Sequence, residues 1–146
     1  MKKKYIISIS GKQILDGEEG VSELTTFGTY LKKGDKRYIS YDEYNEDVNQ
    51  SVKTTLKVET DDKVTLMRNK SSSRLILEKG RRHQCFYDVS FGNTLMLGVF
   101  ANSIENNLTD DGGRLHFKYT LDIDSSITSL NEVDITVKEA ENSCQK

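Results

Sequence analysis

Apolar and polar side chains alternate along this chain with a period of two, a pattern that fits a pleated strand and excludes most helix. The clearest stretch sets Leu115, Phe117, Tyr119, Leu121 and Ile123 against Arg114, His116, Lys118, Thr120 and Asp122. Successive side chains of a strand point to opposite faces, so this stretch has one apolar face and one wet face. Val52, Thr54, Leu56 and Val58 alternate in the same way with Lys53, Thr55, Lys57 and Glu59. Turn residues that tolerate positive φ fall between the runs, at Lys33-Gly34-Asp35, Asp61-Asp62, Lys79-Gly80, Gly92-Asn93 and Asp111-Gly112-Gly113. Such links are too short for crossover helices, so neighbouring strands run antiparallel.

The spacing predicts about ten strands, over 4–11, 21–32, 36–44, 51–60, 63–69, 74–79, 83–91, 94–104, 113–123 and 131–139. Only 12–20 and 44–50 have room for a short helical turn. With 146 residues there is length for one domain, 1–146, with a strand core over about 4–139 and a short C-terminal tail. Ten antiparallel strands must manage their edges, and a core drawn from 35% hydrophobic residues suits closure into a single antiparallel barrel. Gly28 and Gly98 lie inside long strands, where glycine relieves the bend that a small barrel needs at its corners. A sandwich in which both glycines mark ordinary bulges is the alternative.

Charge excludes some functions. The formal net charge of -2 does not describe a basic nucleic-acid binder. It is uneven, however: residues 41–62 hold seven acidic and two basic groups, and 63–92 seven basic and two acidic. The basic run Lys79-Gly80-Arg81-Arg82-His83 precedes Phe86 and Tyr87, a mixture that single-stranded nucleic acid can use. A charged hairpin more often keeps a sheet edge soluble, so nucleic acid is not the expected partner. Met1-Lys2-Lys3-Lys4 and the following apolar residues imitate a signal peptide, but serines break the run and no small-residue cleavage site follows. No stretch reaches the roughly twenty apolar residues of a membrane span. Three glycosylation sequons, at Asn49, Asn69 and Asn107, carry no meaning without secretion. Cys85 and Cys144 lack framework spacing and are expected as free thiols in a reducing cytoplasm.

Short runs place the chain beside a known family. Tyr38-Ile39-Ser40-Tyr41-Asp42-Glu43, Val64-Thr65-Leu66-Met67-Arg68 and Leu77-Glu78-Lys79-Gly80 resemble the bacterial YwiB-like proteins. Phe91-Gly92-Asn93-Thr94-Leu95, Gly113-Arg114-Leu115 and Tyr119 continue the resemblance, which covers residues 4 to 139. It implies a calycin-like, or lipocalin-like, β-barrel of uncharacterised function and supplies no reaction. The family tends to place a glycine two residues after the arginine; here Lys70 follows Arg68-Asn69, which implies a different hairpin geometry.

No phosphate loop, metal-spaced cysteine pair or His-x-x-x-His is present, so the chain is not expected to be an enzyme or to hold a cofactor or metal. His116 falls on a wet face and is expected to be solvated. His83 shares a phase with Cys85 at about 7 Å, too far for a proton relay, and reads as a satisfied polar residue. More informative are polar side chains in inward phase: Arg68 after Val64 and Leu66, Glu43 after Ile39 and Tyr41, and Tyr87 and Tyr119 mid-row. A charge on an apolar face is paired or lies at an opening. Tyr41, Glu43, Arg68, Tyr87 and Tyr119 therefore form the candidate mouth for a small, partly apolar ligand. The competing reading makes Arg68–Glu43 a closing ion pair over a filled barrel, with the surface as a protein–protein interaction module. Which protein such a surface would meet is not written in the sequence.

Overall fold

The computed structural model describes residues 4–45, 50–68, 74–88, 94–123 and 126–140, with the backbone alone for Tyr44, Asn45, Gln50, Tyr87, Asp88 and Thr94. Ten strands account for nearly all of them: β1 (Tyr5–Leu15), β2 (Glu18–Lys33), β3 (Lys36–Asn45), β4 (Gln50–Thr60), β5 (Lys63–Arg68), β6 (Arg74–Glu78), β7 (Arg82–Asp88), β8 (Thr94–Thr109), β9 (Gly112–Ile123) and β10 (Ser126–Glu139). All ladders are antiparallel, and the sheet order is β6-β5-β4-β3-β2-β1-β10-β9-β8-β7. The sheet curls until β6 and β7 face each other, making one nearly closed barrel rather than a sandwich. Among the described residues no ladder crosses this seam. Glu78 and Arg81 form one bridge within the turn, Lys79 bridges to Ala101, and the Ile76 N–H donates to Cys85 Sγ at 3.4 Å.

The expected strands form, with three boundary corrections. Residues 12–20 hold no helical turn; they are the tip of the β1–β2 hairpin, turning at Asp16 and Gly17 with φ of 52° and 79°. β8 continues past 104 because a bulge between Ala101 and Ser103 shifts the inward phase from odd to even numbers. β10 begins well before 131, since Ser129 and Asn131 are inward polar residues that mask the alternation. Of 44–50, Tyr44, Asn45 and Gln50 are strand, and 46–49 lie outside the described residues.

The interior divides along the barrel axis. Towards the end that holds Tyr5 and the β2–β3 turn, inward residues such as Ile7, Ile39, Leu56, Val64 and Leu115 are at most 1% exposed. Each such side chain contributes about 1.5–3 kcal/mol on burial. Tyr5 packs edge-on against Tyr30 at 5.4 Å, and the Tyr30 hydroxyl donates to the Thr109 carbonyl. Arg37 donates to both the Tyr30 hydroxyl and Asp110, binding β3 to the far end of β8.

Candidate functional site

Towards the other end of the barrel the inward rows turn polar. Ladder register sets Tyr41, Thr54 and Arg68 abreast on β3, β4 and β5, with Glu43 one inward step beyond Tyr41. The Thr54 hydroxyl donates to Glu43 Oε2 at 2.8 Å, and Arg68 Nη2 stands 3.6 Å from the same oxygen. The expected approach of Arg68 and Glu43 is therefore present. Thr54 is 1% exposed and Tyr41 8%, whereas the Glu43 and Arg68 side chains are 34% and 42% exposed, so the ion pair sits at the rim. Burial raises the Tyr41 phenol above its ordinary value of 10, and the Glu43 charge adds to this. Arg68 and a hydrogen bond with Thr54 act in the opposite direction.

Tyr119 on β9 also bears electrostatically on Tyr41, and its ring lies against Phe117 at 5.9 Å. Four of the five expected residues thus belong to one region. Tyr87 lies on β7 opposite Leu95, and its side chain is outside what the structure describes. Phe91 is outside the described residues altogether.

The wall beside Tyr119 was not legible in the alternation. Asn131 is the cross-strand neighbour of both Tyr119 and Gln13. Gln13 Nε2 donates to Asn131 Oδ1 at 3.0 Å, and Asn131 Nδ2 donates to Ser129 Oγ at 3.0 Å. Asn131 and Ser129 are buried. The signal available was their phase: 129 and 131 continue the inward row of Val133, Ile135 and Val137. Between the two polar walls, Ile9, Leu24, Leu66, Val133 and Leu121 pack against the core yet are only partly buried. These partly buried apolar side chains share the inward phase of the donors and acceptors on both walls. Small-molecule sites combine apolar contact with a few placed polar groups in this way.

The other singled-out residues have structural partners. Cys85 is 4% exposed and burial raises its thiol above the ordinary value, which disfavours the reactive thiolate. Cys144 lies outside the described residues. His83 Nε2 meets Glu78 Oε1 at 2.8 Å, as a satisfied residue should. His116 is a correction: it is not solvated, with a side chain 14% exposed between Glu132 at 2.7 Å and Glu105 at 3.2 Å on the flanking strands. The outer face is paved by cross-strand charges, and their side chains cover the ring. Nδ1, facing Glu105, lacks hydrogen-bond geometry despite the short approach. In the basic run, Arg82 is engaged by Asp122 and His83 by Glu78. Among the described residues no group of three His, Cys, Asp or Glu is placed to hold a metal, and no helix is long and apolar enough to cross a membrane.

Comparison with known proteins agrees with this architecture. Residues 7–135 match the family described as domain of unknown function DUF1934. The chain is 31% identical over 141 residues to the uncharacterized beta-barrel protein YwiB of Bacillus subtilis strain 168, covering 93% of this chain and 95% of that protein. Superposed on the crystal structure of the ywiB protein from Bacillus subtilis, it gives a TM-score of 0.83 at 26% identity, over 96% of this chain and 94% of the other. Sequence and barrel together make this chain a member of the DUF1934 family, whose function is unknown.

Proposed function

We propose that this protein is a non-enzymatic cytoplasmic binding protein that takes a small, partly apolar ligand at the Glu43–Arg68 end of its barrel. The observation that carries this reading is the set of inward but accessible apolar residues, Ile9, Leu24, Leu66, Val133 and Leu121, between two polar walls. Arg68 approaches Glu43 at 3.6 Å, beyond hydrogen-bond reach, so its guanidinium can still donate to an incoming acceptor. The buried free thiol of Cys85 suits a reducing compartment. Native mass spectrometry of protein purified from its own host tests the reading by looking for a retained mass. Melting shifts across fatty acids and aromatic carboxylates are then compared with those of Leu66→Trp, which fills the space. Retained mass, and stabilisation by at least one compound that Leu66→Trp abolishes, are expected. No retained mass together with unchanged melting across the panel would refute it.

The second reading, a surface interaction module, draws on Phe86 and Met96. These cross-strand partners on β7 and β8 are 57% and 47% exposed.

A further inference from the structure

The end of the barrel remote from the Glu43–Arg68 mouth holds a separate cleft of about 440 Å³, within the size range of small-molecule sites. One wall is cationic. Lys32 and Arg37 are direct cross-strand partners at the β2–β3 hairpin, both lining the cleft. Like charges directly opposite each other on a sheet are unfavourable. Arg37 is neutralised by Asp110, but Lys32 has no ionic or hydrogen-bonding partner among the described residues. The facing wall is anionic: Asp61, on the β4–β5 turn, accepts from Asn106 Nδ2 of β8 at 3.1 Å. Val58, 3% exposed, and the partly buried Leu108 supply an apolar surface in the same cleft. The other acidic groups there have partners elsewhere. Glu59 accepts from Thr65 at 2.7 Å and Asp35 sits 3.9 Å from Lys36.

A singly charged ligand would meet one wall of like sign; a ligand carrying both signs would not. We propose that this cleft binds a small zwitterion with an apolar side chain, an α-amino acid or short peptide. The carboxylate faces Lys32, the ammonium faces Asp61, and the side chain lies over Val58 and Leu108. The proposal concerns a different site from the barrel mouth and does not depend on it.

Amide NMR shifts of the full chain test this, with L-leucine as the zwitterionic probe. N-acetyl-leucine and leucine amide each lack one of its charges. Leucine is expected to move amides at 32–37, 58–61 and 106–108, with each blocked form weaker by about tenfold. Lys32→Gln and Asp61→Asn alter exposed side chains, so their spectra elsewhere report an intact fold, and each is expected to weaken leucine by about tenfold. The proposal fails if leucine at millimolar concentration leaves these amides unmoved, or if the blocked forms bind equally well. It also fails if the shifts appear at Tyr41, Thr54 and Asn131 instead, which would assign the zwitterion to the mouth.

Discussion

Asp122 is a carboxylate only 7% exposed on the outer face of the barrel, and Arg82 reaches it from two strands away. The guanidinium donates through Nε at 3.0 Å and Nη2 at 2.7 Å, passing directly over Gly98 of the intervening strand. A Cβ at position 98 would lie 2.2 Å from Arg82 Nη2, so Gly98 clears a path for the pair. Gly98→Ala is therefore expected to displace the guanidinium and to destabilise the fold only modestly, since the arginine end of this charge-assisted bond pair is open to solvent. The measurement is a double-mutant cycle in urea with Arg82→Met: once the guanidinium is gone, Gly98→Ala should cost little further. Full additivity would show that the glycine serves the backbone instead. The sequence showed this glycine as a strand irregularity but not its reason, because Arg82 and Asp122 are 40 residues apart. Glu43 and Arg68 were legible as a pair, since both stand in inward phase on strands separated only by β4.

β2 is long enough to serve two neighbours. Its residues 18–28 pair with β1 and 28–33 with β3, and Gly28 is the position where the partner changes. A Cβ there would lie 2.3 Å from the Ser40 carbonyl oxygen and 2.4 Å from Ile7 Cδ1, a backbone atom and a fully buried core atom. Neither has the freedom of an arginine tip. Gly28→Ala is expected to destabilise by more than Gly98→Ala, about 3 kcal/mol or beyond, with equilibrium unfolding as the readout. A loss smaller than that of Gly98→Ala would show that the strand can rebuild its bend. The element boundaries missed from alternation have a common cause. Alternation reports strands only where one face is apolar, and it fails where inward residues are polar, at Gln13 and Asn131, or where a bulge changes parity, at Ala101.

Among the described residues, several carboxylates on the barrel are held by partners on neighbouring strands, and this gives it an acid limit. Hydrogen bonds from His116, His83 and Thr65 hold Glu132, Glu78 and Glu59 below the ordinary carboxyl value of 4.5, and Arg114 holds Asp134 below 3.8. Each group binds its proton more weakly folded than unfolded. The stability it contributes is complete above its ordinary value and is lost as pH falls through the lowered one. The melting temperature is expected to fall as pH drops from about 5 towards 2, and to fall less steeply in the Glu132→Gln, Asp134→Asn double variant. A melting temperature constant over that interval would contradict this account. Sequence pattern alone determined about ten strands, because the direction of each Cβ is a local property with a period of two, and their antiparallel order, because the turn links between them are too short for crossovers. Only the tertiary structure decided which inward polar groups meet. Gln13 finds Asn131 across 118 residues, and Arg37 finds Asp110 across 73, because the pairing of β1 with β10 and the closing of the sheet set distances that no local pattern encodes.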